Sequence, residues 1–246
     1  MNYNETLQYL YNLTKHGIKL GLKNITALLN LLGNPQSHFN SIHIAGTNGK
    51  GSTARMISAL LSSAGFRTGL FTSPHLVRFT ERITIDTVEI TEDDVVRLTQ
   101  HIRQLLKSAS DINPTFFEFI TALAFYYFYE NSIDWAVVET GLGGRFDATN
   151  VLIPKVSVIT DIGMDHKEFL GNTLKEIAFE KAGIIKEGIP LVTTMQKDEA
   201  LAVLLERAKA CGSQIYRLGE HFHILNHKLT ARGNSFDFKA EEPSGI

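Results

Sequence analysis

Cysteine is almost missing from this chain: Cys211 is the only one in 246 residues. A single cysteine excludes an internal disulfide framework and suits a reducing, cytoplasmic setting. An excess of charge of one sign is missing as well. The net charge is −2 and the isoelectric point about 6.5. No bulk basic surface points to nucleic acid, and no long like-charge run occurs. Long hydrophobic runs are missing too. The opening MNYNETLQYLYNLTKHGIKL has no continuous apolar stretch and reads as neither a secretion signal nor a membrane span. Internal repeats and low-complexity tracts are lacking.

What is present suffices for one large core or two small ones, with 43% hydrophobic residues. Short apolar runs alternate with longer helical patterns. Residues 41–45, 66–72, 134–140, 155–160 and 189–194 have the length and β-branched content of strands covered on both faces. Residues 52–65, with Gly65 as a stop, read as a helix, as do 172–186 and 197–212. The 91–107 segment carries Thr91 and Asp94 at near capping-box spacing. The 114–132 segment is apolar nearly all round, which predicts a helix sandwiched deep in the protein. This alternation predicts an α/β fold: a doubly wound, mainly parallel sheet with a core over about residues 20–212. After residue 212 the stretches QIYRL, FHILNHKLTA and NSFDFKA read as short antiparallel strands.

An open parallel sheet binds ligands at the carboxyl ends of its strands. Four strand ends here carry polar groups: GTNGKGS, SPHLVRFTERI, ETGLGGRFDATN and DIGMDH. The first is a phosphate-loop pattern, including Asn48 and Gly49, with one displacement. Gly51 separates Lys50 from the hydroxyls of Ser52 and Thr53, where the usual pattern places the hydroxyl directly after the lysine. Glycine-loop amides at a helix start favour an anion. Lys50 then reaches the terminal phosphates, and Ser52 or Thr53 supplies a hydroxyl near a cation. A lysine at a buried strand–helix junction is a poor choice for a mere turn. Glu139 follows a buried strand, where a carboxylate is costly without a cation or donor. Magnesium with nucleotide phosphates takes one or two carboxylates and waters, a role that fits Glu139. For His166, a structural hydrogen-bonded residue and a metal ligand stand level. Ser73 also reads as a turn residue before Pro74. Lys181 reads as an ordinary solvated helix residue. His221 and His223 in HFH read as strand surface.

Taken together, LLGNPQ, IHIAGTNGKGST, GLFTSPHLVRFTERI, TFFEFITALAF, ETGLGGRFDATN, DIGMDH and FEKAGIIK resemble the folylpolyglutamate synthase/dihydrofolate synthase family of the Mur ligase superfamily. The displaced hydroxyl is that family's own variant of the loop. The resemblance implies that Asn48, Gly49, Lys50, Gly51, Ser52 and Thr53 hold ATP. Ser73 and Glu139 would bind one Mg2+, and His166 would help bind a second. Lys181 would be carboxylated to a carbamate. Thr115, Phe116, Phe117 and Glu118 would line the pterin-substrate pocket with Phe146, Asp147 and Ala148. The implied partners are ATP, a folate or dihydropteroate acid and L-glutamate, with the full-length family form a monomer. The implied chemistry forms an acyl phosphate, which the amine of glutamate attacks.

Three other readings compete. Another Mur-type ligase would join an amino acid to a different acid. A P-loop kinase or GTPase would turn over without glutamate. A non-catalytic nucleotide-binding fragment would bind only. The last gains weight from the chain's end, because the family's second α/β domain, with its DGAHN-like segment, has no counterpart after residue 212. The resemblance therefore implies a partial form of the ligase, with weak nucleotide binding, little activity alone and an exposed apolar patch.

Overall fold

The computed structural model describes residues 1–17, 21–109, 111–195, 197–231 and 233–240. In chain order the elements are α1 (Tyr3–Asn12), α2 (Lys23–Leu31), β1 (Asn40–Ala45), α3 (Lys50–Ser63), β2 (Thr68–Phe71), β3 (Ile83–Ile85), β4 (Val88–Glu89), α4 (Glu92–Lys107) and α5 (Phe116–Glu130). They continue with β5 (Trp135–Glu139), β6 (Val156–Ile159), α6 (Lys167–Leu170), α7 (Leu174–Ala182), β7 (Leu191–Thr193), α8 (Asp198–Ala210), β8 (Ile215–Arg217), β9 (Phe222–Thr230) and β10 (Gly233–Ala240).

The eight-stranded sheet has the order β4-β3-β2-β5-β1-β6-β7-β8. β2, β5, β1, β6, β7 and β8 run parallel, and β3 and β4 add an antiparallel edge. Alternation explains why these short apolar runs sit inside. On β5, Val137 faces a cluster with Ile44, Ala54 and Leu70, while Ala136 and Val138 face the opposite cluster. Burial on both faces rewards a continuous apolar run rather than one of alternating polarity.

α5 fills the larger cluster. Ten of its residues are buried, including Phe119, Phe125 and Phe128, as its all-round apolar sequence predicts. It starts where Thr115 and Glu118 form a capping box. At α4, the Thr91 side chain accepts from the Asp94 amide. Leu10 and Leu13, at and just beyond the end of α1, also belong to this cluster.

One expectation needs correction. QIYRL was expected to pair antiparallel, yet β8 runs parallel to β7. The 13-residue α8 between them makes a crossover, and a crossover returns the chain in the same direction. Only β9 and β10 form the separate antiparallel pair.

The order of strands positions the site. β1 lies centrally, with β5 on one side and β6 on the other. The chain leaves β1 toward β2, fills the gap with β5, then crosses to β6. This reversal opens a crevice above the carboxyl ends of β5, β1 and β6.

Candidate functional site

The loop after β1 is bolted to the end of β6. The Thr47 amide donates to the Asp161 carbonyl at 2.7 Å. The Thr160 hydroxyl is 2.8 Å from the Asn48 carbonyl, and the Asn48 amide group donates to the Asp161 carboxylate at 3.4 Å. At Gly46 any side chain would collide, since a Cβ there would lie 1.8 Å from Thr160 Oγ1. α3 then begins at Lys50 with Gly49 as its cap, and no side-chain oxygen satisfies its first turn. Those unclaimed N–H groups and the helix dipole suit an anion. Ser52 and Thr53 sit in that first turn. Lys50 donates to the Thr47 carbonyl at 3.3 Å, a contact within the loop itself.

Gly51 explains the displaced hydroxyl. Its absent Cβ would lie 3.3 Å from Glu139 Oε2, so the first helical turn passes close over the end of β5. A larger side chain would press on the carboxylate. Glu139 is 4% exposed. Its Oε2 accepts from the Ser73 amide at 3.1 Å. Burial pushes its carboxyl above the ordinary range, opposed by that hydrogen bond and by Lys50 and Arg55. A buried carboxylate beside a phosphate loop, with a serine against it, is a donor set that fits a hard divalent cation. Among the described residues no three of His, Cys, Asp and Glu gather into a protein-only metal cage. A Mg2+ that shares phosphate oxygens and water needs no such cage.

Ser73 and His166 both line a cavity of about 590 Å3. Thr115, Phe116, Phe117, Glu118, Phe146, Asp147 and Ala148 line it too, so tertiary structure brings together every sequence-predicted pocket residue. Phe116, Phe117, Phe146 and Ala148 supply apolar wall. Phe117 closes over the backbone at Gly141, where a Cβ would lie 2.5 Å from its ring.

Two of the predicted pocket carboxylates have internal duties. Glu118 accepts from the Thr115 amide at 2.7 Å and so caps α5. Asp147 is buried and accepts from the Leu142 amide at 2.8 Å and the Thr149 amide at 3.0 Å. Burial raises its carboxyl above the usual range, while these bonds hold it down. The Thr149 hydroxyl donates to Asp147 and therefore accepts from His43 Nε2, 2.7 Å away. His43, wholly buried in β1, is thus neutral with its proton on Nε2; burial pushes its pKa down to about 3. This His43–Thr149–Asp147 chain clamps the loop that walls the cavity, and neither His43 nor Thr149 carried a sequence signal for it.

The structure overturns the solvated-helix reading of Lys181. It is 3% exposed, and its Nζ donates to the Gly46 carbonyl at 2.7 Å. Burial, then the charge of Lys50, lowers its pKa to about 8. His166 caps the short α6 in a left-handed conformation, and its Nε2 lies 3.5 Å from Asp165 Oδ2. It lines the same cavity as Ser73 without touching Glu139 in the described contacts. His223 lies on β9, as its strand reading expects, but His221 does not: it sits in the turn before β9, where its Nδ1 accepts from the Arg217 amide at 3.3 Å.

Sequence reasoning missed three features. Thr14, Gly17 and Gly21 contribute cavity wall from a segment with no motif. Arg145 packs over Phe146 with its guanidinium 4.0 Å from the ring centroid, and pairs with Glu180 at 2.6 Å. Arg82, the last residue of the segment between β2 and β3, is buried.

Comparison with known proteins agrees with this geometry. Residues 44–242 match the Mur ligase middle domain. The chain is 41% identical over 244 residues to the dihydrofolate synthase/folylpolyglutamate synthase of Bacillus subtilis, covering 98% of this chain and 57% of that protein. Its fold resembles an FPGS–AMPPCP complex with a TM-score of 0.92 and 42% identity, covering 98% and 59% of the two chains. It also resembles the folylpolyglutamate synthase of Thermotoga maritima, with a TM-score of 0.90 and 43% identity, covering 98% and 55%. The chain thus spans less than two thirds of the length of these relatives.

Proposed function

The chain belongs to the Mur ligase family, as a middle domain, and from that premise we propose that it is the ATP-binding part of a ligase that joins L-glutamate to a folate or dihydropteroate acid. One observation carries the reading. A phosphate loop passes directly over a buried glutamate, and the serine against that glutamate also walls an apolar cavity. Triphosphate and acid substrate would meet at this junction.

The roles follow from charge. The loop from Asn48 to Thr53 would hold the phosphates through backbone amides, with Lys50 on the terminal ones. Ser73 and Glu139 would hold one Mg2+, and His166 would contribute to a second. The cations offset the repulsion between a carboxylate and a triphosphate. The phenylalanines and Ala148 would seat an aromatic ring system, leaving the acid group toward Ser73. Transfer of the terminal phosphoryl group to that carboxylate gives an acyl phosphate, and the glutamate amine displaces phosphate to form the amide. No enzyme nucleophile takes part.

Lys181 supports a further part of this reading. A carbamate forms from the neutral amine and CO2 with loss of a proton, and a lowered pKa enlarges the neutral fraction. The product would place an anion, rather than a second cation, close to Lys50. The setting proposed is cytoplasmic; among the described residues no helix is long and apolar enough to cross a membrane.

The test is titration of a non-hydrolysable ATP analogue with and without Mg2+, on wild type and on Glu139→Gln. The variant should lose the gain in affinity that Mg2+ provides and keep its fold. An undiminished Mg2+ effect in the variant removes Glu139 from the metal site. ADP release assayed with each acid, with and without glutamate, separates this ligase from a kinase: glutamate-independent turnover favours the kinase.

A further inference from the structure

The two arginines near the cavity are treated differently by the fold. Arg145 has its carboxylate, Glu180, at 2.6 Å. Arg82 has none: among the described residues it forms no salt bridge, although it is only 8% exposed. Its Nε donates to His75 Nδ1 at 2.8 Å. Its guanidinium carbon lies 5.6 Å from the centroid of Phe116. The neighbouring Glu81 is fully occupied, accepting from the amides of Leu76, Val77 and Arg78 at 2.8, 3.0 and 2.6 Å. Glu139 is near enough to be felt electrostatically, but its Oε2 bonds the Ser73 amide.

A buried cation without a partner is costly. A fold retains one when a ligand supplies the opposite charge. The Arg82 contacts say where that ligand would lie. Phe116 is cavity wall, and His75 follows directly on Ser73 and Pro74, which are also wall. Ser73 is the residue that touches Glu139. Arg82 is not itself part of the lined wall; it stands directly behind Phe116, and through His75 it adjoins the Ser73 side of the cavity. His75, accepting at Nδ1, leaves the other nitrogens of the fork for a planar anion, and a carboxylate matches that fork with two parallel bonds.

We propose that Arg82 receives a carboxylate of the acid substrate, orienting it at the Ser73 end of the cavity. This deepens the ligase reading and rests on it. Arg82 orients the acid before the phosphate arrives, while Lys50 and the metal serve the triphosphate.

The experiment titrates the purified chain with dihydropteroate and with its decarboxylated counterpart, for wild type, Arg82→Met and Arg82→Lys, and records a thermal melt of each. Arg82→Met should weaken the acid tenfold or more and leave the decarboxylated ligand within twofold. Its melting temperature should be no lower than that of wild type, because an apolar side chain replaces an uncompensated charge. Arg82→Lys, which keeps the cation without the fork, should fall between the two. Unchanged acid affinity in Arg82→Met overturns the proposal. So does equal weakening of both ligands, or a variant that melts early or does not fold, since each marks a structural role. If wild type binds neither pterin ligand, the ligase reading itself fails and the proposal falls with it.

Discussion

The crest at the strand ends and the hairpin β9–β10 invert the ordinary rule of burial in opposite senses. On the crest, charge is inside: Lys181 and Glu139 are 3% and 4% exposed. On the hairpin, apolar side chains are outside: Phe238 is 63% exposed and Leu229 76%. Glu139 and the hairpin residues lie on strands, whereas Lys181 reaches the crest from α7. The difference lies in what covers them. The crest strands are flanked by α3 on one face and α5 on the other, so groups at their ends are buried by both layers. Among the described residues β9 and β10 form a two-stranded sheet of their own, tied beyond it by a single bridge from Phe222 to Leu218, and two strands bury little. Polar burial on the crest is thus an expense of the site, whereas the hairpin adds little to the stability of the rest.

The comparison can be broken in order of expected effect. Phe125→Ala removes a fully buried ring from the helix beneath the crest and should destabilise by about 3–5 kcal/mol in urea unfolding. A loss below about 1 kcal/mol would mean that α5 is not the main support. Lys50→Ala should weaken binding of an ATP analogue, or slow the first chemical step, by roughly 2–4 kcal/mol; an unchanged titration with an unchanged rate rejects its phosphate role.

A pH series sharpens the contrast further. His43 titrates at about 3 when folded, against 6.5 for an ordinary histidine. Between those values the unfolded chain binds the extra proton, so stability rises with pH. The contribution is fully present above 6.5 and falls toward pH 3, by at most about 1.4 kcal/mol for each pH unit. Chemical denaturation of wild type against His43→Gln should show that slope only in wild type; parallel curves would place the acid sensitivity elsewhere. The smallest effect belongs to the hairpin. Phe238→Ala should change unfolding by less than about 0.5 kcal/mol, and a core-sized loss would show that β9 and β10 support the fold after all.

The sequence read well wherever the signal was local. The glycine loop, the strand runs on either side of it and the all-apolar α5 each declare themselves within a dozen or so residues. Glu139 was legible as well, because a carboxylate at the end of a buried run is conspicuous. The failures share a cause. Lys181 looked solvated since α7 carries charged residues around it, yet its amine meets the carbonyl of Gly46, 135 positions earlier. β8 looked like part of the hairpin because its short run resembles its neighbours, while its partner β7 lies across α8.

By itself the sequence determined the class of fold and the phosphate loop, since periodicity, glycine placement and strand-end polarity act over short range. Tertiary structure alone decided which charges are spent and which are free. Asp147 and Glu118 line the cavity, and their carboxylates also clamp the chain through backbone amides. Arg82 carried no signal in the sequence and, among the described residues, is a buried cation without a salt bridge. Whether a charge is paired depends on groups brought close by the whole topology, and desolvation becomes costly only once the surrounding layers are in place.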